Sequence, residues 1–261
     1  MMSLDTIHIA SAVEAARQSD VAILFCGSSS ASLARDYNET NCGEGFDLAD
    51  LALTGAQGKL IKAIHATGKP VILVLVTGKP FSIAWEKKHI PAILIQWYAG
   101  EQEGSSIANI LFGKTNPSGH LTVSFPQSSG HLPAYYNYLP TDRGFYHKPG
   151  SYEQPGRDYV FSSPGPLWAF GHGLTYTTFN YTDMQIQQSV DSIKVFVTVK
   201  NTGRWAGKAV PQLYVRDVFS SISTPVKQLK AFNKVALEPG ETTRVPVSYT
   251  HLRAHETSQD L

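Results

Sequence analysis

Three short, unbroken apolar runs constrain this chain more than any other feature: VAILFCG (21–27), VILVLV (71–76) and AILIQWY (92–98). Such runs lack the alternation of a half-exposed strand. Each therefore reads as a strand buried on both faces. Helical spacing surrounds them. Ile9, Val13 and Ala16 precede the first run, and Leu60, Ile61 and Ile64 precede the second, with Gly68 where a C-terminal cap belongs. A short helix near 82–88 leads to the third run, and Ile107, Ile110 and Leu111 follow it. LTVSF (121–125), closed by Pro126, is expected to form a fourth strand. Strand–helix alternation of this kind implies an α/β fold: a mainly parallel sheet with helices on both faces.

Ligands on such sheets bind in loops beyond the carboxyl ends of the strands. The loop after the first run, about 27–52, is far longer than the roughly 2–6 residues usual for a strand-to-helix connection, which makes it a candidate functional element. From Pro126 to about residue 181, Pro, Gly and Tyr crowd together and no period persists. This stretch is too aromatic for a flexible linker and reads as an ordered, irregular connection packed on both neighbouring domains. Trp168, Phe170, Tyr176 and Phe179 are expected to be its packing anchors. Beyond it the pattern is all-β. Val195, Val197 and Val199 share one face before the turn Asn201-Thr202-Gly203. Leu213 and Val215 share another, and two more strands flank Glu238-Pro239-Gly240-Glu241. Short strands between turns suggest an immunoglobulin- or fibronectin III-like sandwich. The expected division is an α/β sandwich domain at 1–126, the connection at 127–181, an incomplete β-sandwich at 182–248 and a non-native tail at 249–261, where the alternation stops abruptly.

At 261 residues, two domains is the natural reading. A net charge of +1 gives no electrostatic footprint for nucleic acid or an anionic membrane, so neither is expected as a partner. No apolar run is long enough to span a bilayer. Cys26 and Cys42 cannot build a disulfide framework or a zinc site and read as free thiols. His251 and His255 have i, i+4 spacing but sit in the aberrant tail, and no metal or other cofactor is expected. CGSSSAS lacks the spaced glycines of a phosphate loop, and no GxSxG motif is present.

The segments GEGFDLADLALTGAQ (43–57), ATGKPVILVLVTGKP (66–80), AILIQWYAGEQEGSSIANILFGKTNPSGHLTVSFP (92–126), PLWAFGHGLTYTTF (166–179) and VPQLYVRDVFSSISTPVKQLKAFNKVALEPGET (210–242) resemble, in wording and in order, glycoside hydrolase family 3 of the β-glucosidase and β-xylosidase type. The resemblance implies the C-terminal portion of such an enzyme, an α/β sandwich followed by a fibronectin type III-like domain. It implies a retaining exo-β-glycosidase whose nucleophilic aspartate lies on a TIM-like barrel. A barrel needs roughly 250 residues, so the nucleophile is expected to be absent from this chain and the chain inactive alone. An oligosaccharide or β-glycoside is the implied substrate, the barrel the implied partner, and a periplasmic or secreted location is favoured.

Retaining hydrolysis needs two carboxyl groups, one attacking the anomeric carbon and the other giving a proton to the leaving oxygen and later acting as base toward water. Glu44 is the expected acid/base. It lies in the over-long loop between Gly43 and Gly45, which allow close backbone approach to a sugar, and the family segment that Gly43-Glu44-Gly45-Phe46-Asp47 resembles carries that glutamate. Glu39 is the rival. Asp47, Asp36 and Trp97 are secondary candidates for substrate contact, although a strand-end Trp is more often core. Leu48 and Thr54 depart from the family, which commonly has arginine and proline there. Loss of that arginine removes a charged donor that would support the loop. The alternative is a carbohydrate-binding or interaction module without chemistry.

Overall fold

The structure is a computed structural model that describes residues 5–29, 48–140, 153, 162–188 and 193–249. The chain divides into two compact units. The first takes the residues up to Ile107, Val123–Ala134 and the later residues to Ala169; the second takes Ala108–Thr122, the residues from Tyr135, and Phe170 onward.

In the first unit, helix α1 (Ile9–Arg17) precedes strand β1 (Ala22–Gly27), α2 (Gln57–His65) precedes β2 (Val71–Val76), and α3 (Ala84–His89) precedes β3 (Ala92–Ile95). The strands form one parallel sheet in the order β1-β2-β3. β2 is central and almost wholly buried, as its β-branched, unbroken apolar sequence requires. The buried residues of this unit include Ile61 and Ile64 of α2, Leu73, Val74 and Leu75 of β2, and Phe81, Ile83 and Phe125. Gly68 ends α2 at φ +77 in the left-handed region, donating to His65 O, as its expected capping role demands. Helix α4 (Glu103–Leu111) follows β3 and stops before Gly113, again at positive φ.

Three expectations are corrected. β1 is not buried on both faces: Ala22 and Cys26 are buried, but Ile23 and Phe25 on the opposite face are 36% and 56% exposed. Among the described strands β1 pairs only with β2, and apolar periodicity cannot report whether a neighbour covers an edge. Second, LTVSF does not join the parallel sheet. In the first unit Phe125 forms a single antiparallel bridge to Trp168, giving its N–H to Trp168 O at 2.8 Å. In the second, Leu121 N–H donates to His172 O, and Leu121 O accepts Gly171 N–H. The aromatic segment after 165 takes the ladder bonds a fourth strand would have used. Third, β3 ends at Ile95, not Tyr98, because Trp97 turns to φ +58, outside any strand conformation.

The second unit is antiparallel. Strands β4 (Phe179–Gln188), β5 (Ile193–Asn201) and β10 (Thr242–Tyr249) form a sheet in the order β10-β5-β4, while β6 (Gly207–Ala209) pairs with β9 (Val235–Leu237) and β7 (Gln212–Val215) with β8 (Gln228–Phe232). Val199, Ala209, Leu237, Val245 and Val247 make its core, with Phe179, Val197 and Leu213 packed against them. Around the expected turn, Glu241 N–H donates to Glu238 O and Gly240 takes φ +82, and β8, β9 and β10 provide three strands where two are expected. Asn201, expected only as a turn residue, is fully buried. Its amide donates to Trp205 O and Leu237 O, and its carbonyl accepts from Thr177 Oγ1 and Gly203 N–H. Tyr136 stacks on Phe170 at 4.0 Å, and Phe170 meets Tyr214 of β7 edge-on at 6.5 Å. The fold is α/β followed by an antiparallel β-sandwich region. The sandwich strands extend through Tyr249, and the rest of the expected tail, 250–261, lies outside the described residues.

Candidate active site at the carboxyl edge of the sheet

The over-long loop leaves β1 at Gly27. Only glycine fits there: φ is +145, and an added Cβ would stand 1.8 Å from Val76 O. The next residue, Ser28, is buried and returns its N–H to Val76 O at 2.9 Å. Its hydroxyl lies 3.3 Å from Thr77 Oγ1 and 3.1 Å from the Tyr98 hydroxyl. Thr77, fully buried just past β2, donates to Lys79 O at 2.8 Å, and Tyr98, past β3, donates to Ser28 O at 3.0 Å. With those two protons placed, the Ser28 hydroxyl is left to donate to Thr77 or Tyr98. Three hydroxyls, one beyond each strand, thus lock the start of the loop to the sheet.

Gln57, first residue of α2, completes this stem. Its Oε1 accepts Gly27 N–H at 2.6 Å, and its Nε2 donates to Gly27 O at 2.9 Å and Thr54 O at 3.1 Å. On the side of Gly27 away from β2, the side-chain amide takes the place of the backbone partner that β1 lacks among the described strands. Beside it lies a shallow concavity of about 310 Å³, walled by Phe25, Leu60 and Val76 with Gln57 and Ser28 at its polar end. The returning end of the loop is fastened separately. Leu51 N–H donates to Ser129 Oγ at 3.0 Å, Ser129 donates to Asp50 Oδ1 at 3.0 Å, and Asp50 Oδ1 accepts Ala52 N–H at 3.1 Å. Leu51 O accepts Ser82 N–H. The Ala52 N–H and then the Ser129 hydroxyl hold the Asp50 carboxyl below its ordinary value.

Glu44, Glu39, Asp47 and Asp36 lie outside the described residues. Trp97 is partly buried past the end of β3, its ring centroid 6.2 Å from that of Phe125, in a left-handed conformation unusual for a bulky residue. Cys26 is a free, buried thiol, as expected, and burial followed by the nearby Glu86 charge pushes it up to about 11. Gln57, Ser28, Thr77, Asp50 and Ser129 are site residues that sequence reasoning missed. Their partners lie up to 79 residues away, beyond any local pattern.

The family model for the glycosyl hydrolase family 3 C-terminal domain matches residues 5–176. The chain belongs to glycoside hydrolase family 3. A fibronectin type III-like domain model matches residues 209–256 of this family 3 chain. Similar relatives include a protein named β-xylosidase from Formosa agariphila, 40% identical over 96% of this chain and 33% of that protein. A periplasmic β-glucosidase from Salmonella typhimurium is 40% identical over 93% of this chain and 31% of that protein. The crystal structure of a β-glucosidase from Listeria innocua in complex with isofagomine superposes with a TM-score of 0.82 at 35% identity, over 94% of this chain and 33% of that one. The family 3 chain thus spans about a third of the length of the relatives it matches.

Proposed function

We propose that this family 3 chain is the acid/base-bearing part of a retaining exo-β-glycosidase that removes terminal, non-reducing β-linked sugars. Relatives named β-glucosidase and β-xylosidase support the reaction class. The observation that carries the reading is the anchored loop at the carboxyl edge: both stems are hydrogen-bonded to the sheet and its neighbours, and the sequence between them holds Gly43-Glu44-Gly45. In this reading Glu44 protonates the leaving oxygen and then deprotonates the attacking water. The nucleophilic carboxylate belongs to a barrel in the two thirds of the relatives that this chain does not span. Asp36, Asp47 and Trp97 are proposed substrate contacts, and Glu39 is the rival acid. Two carboxyl groups suffice for this chemistry, so it calls for no cofactor. The domain limits proposed are 1–126, 127–181 and 182–248. No described helix is long and apolar enough to cross a membrane, and the relative named periplasmic supports a periplasmic or secreted location.

The test is Glu44→Ala in the full-length enzyme that contains this chain. Turnover of a substrate with a poor leaving group should fall by about 10²–10⁴-fold. Added azide, which needs no general base, should restore turnover of an activated aryl glycoside and yield the glycosyl azide. If Glu44→Ala leaves both substrates untouched and Glu39→Ala shows this pattern instead, the acid is Glu39.

A further inference from the structure

We propose that Ser129 is a positioning residue for the acid/base, holding the returning stem of the loop that carries it. The inference rests on the assignment of the acid to that loop. Ser129 lies 78 residues from Leu51, yet its one hydroxyl accepts Leu51 N–H and donates to the Asp50 carboxylate, which in turn takes Ala52 N–H. Two consecutive loop residues therefore bond directly to one side-chain oxygen, and a third is tied to it through Asp50.

That oxygen sits on a rigid base. Ser129 opens a single 3-10 turn, Ser129–His131, whose His131 is buried. His131 Nδ1 accepts Gln127 N–H at 3.2 Å and Nε2 lies 2.7 Å from Pro164 O, so the ring carries its proton on Nε2. Gln127 Nε2 donates to Gly165 O at 3.0 Å. The turn is thus fixed from two sides by groups that play no part in the loop. Ser129 passes that rigidity to the stem through bonds of ordinary strength. A stem displaced by even an ångström would carry the acid away from the leaving oxygen, and proton transfer is steeply sensitive to such displacement. A misplaced acid harms substrates with poor leaving groups and spares those whose leaving group departs unprotonated.

Two measurements test this. In the 261-residue chain, Ser129→Ala should speed amide hydrogen exchange at Leu51 and Ala52 by about tenfold, with Ser129→Thr close to wild type. In the full-length enzyme, Ser129→Ala should lower kcat for a methyl glycoside by about tenfold with KM unchanged, while a dinitrophenyl glycoside loses less than about twofold and Ser129→Thr restores both. Unchanged exchange overturns the anchor. Equal losses on the two substrates, or faster exchange with no kinetic change, overturn the positioning role. The Glu44→Ala and azide experiment fails or succeeds independently of the exchange measurement, so a wrong acid and a wrong anchor are told apart.

Discussion

Replacing Gln57 by leucine leaves a somewhat shorter, apolar side chain and removes every hydrogen bond that the glutamine makes. Four bonds go: one from Gly27 N–H and three from Nε2, to Gly27 O, to Thr54 O and, at a long 3.4 Å, to Thr54 Oγ1. At about 0.5–1.5 kcal/mol net for each of the three shorter bonds, the range is about 1.5–4.5 kcal/mol. Gln57 and Gly27 are only partly buried, so water refills part of the loss, and the expected cost is about 2 kcal/mol. For a chain of this size that corresponds to a Tm about 4–8 °C lower. Gln57→Glu is the informative companion. It keeps an acceptor for Gly27 N–H but faces two carbonyl oxygens with a carboxylate, so it should be at least as damaging near neutral pH. Urea melts followed by circular dichroism, with hydrogen exchange at Gly27 to localise the effect, measure both. A leucine variant within 0.5 kcal/mol of wild type would refute the view that this amide closes the end of β1.

Cys26 should resist alkylation in the native protein at pH 8.5 and react only on unfolding, because its thiol is pushed up to about 11 by burial and then by Glu86. The raised value also stabilises the fold below about pH 9, and that contribution is lost as pH rises from about 9 through about 11, which pH-dependent melts of a Cys26→Ser variant will show as a flatter alkaline limb. Asn201→Asp should destabilise the second unit by about 3 kcal/mol or more, since it sets a carboxylate against Trp205 O and Leu237 O in a fully buried site; thermal melts followed by near-ultraviolet signals measure it.

Much of the fold is legible because burial leaves a local mark. The run at 71–76 becomes β2, the first four residues of the run at 92–98 become β3, and the helical spacings at Ile9, Leu60 and Ile107 fall in α1, α2 and α4. What is misread depends on neighbours distant in sequence. Ile23 and Phe25 are as apolar as any core residue, yet nothing in their wording shows that β1 lies at an edge among the described strands. LTVSF has a strand's composition, but its bonding partners at 167–172 win it for another pairing. The stem residues are less legible still. Ser28, Gln57 and Ser129 are ordinary polar residues in loops or at a helix start, and their roles exist only once bonds spanning 30 to 79 residues have formed. Gly27 and Asn201 left a partial signal, a glycine closing an apolar run and an asparagine opening a turn.

The stems also narrow the choice among carboxyl groups for the proposed acid. The loop from Ser28 to Ala52 carries five carboxyl groups, Asp36, Glu39, Glu44, Asp47 and Asp50. A general acid must hold its proton near neutrality, which requires a value raised above that of a free carboxyl. Asp50 is driven the opposite way by the Ala52 N–H and the Ser129 hydroxyl, both of which favour the charged form, so it is ionised wherever such an enzyme would work. Its anionic state is what lets it bind the stem: protonation would turn an acceptor of two hydrogen bonds into a competing donor. One carboxyl of the five is thereby committed to holding the loop. Of the other four, the two glutamates reach one methylene further than the aspartates, and only Glu44 has glycine on both sides to let a sugar approach its backbone. Loop anchoring and proton donation demand opposite electrostatics of a carboxyl group, so they cannot fall to the same residue.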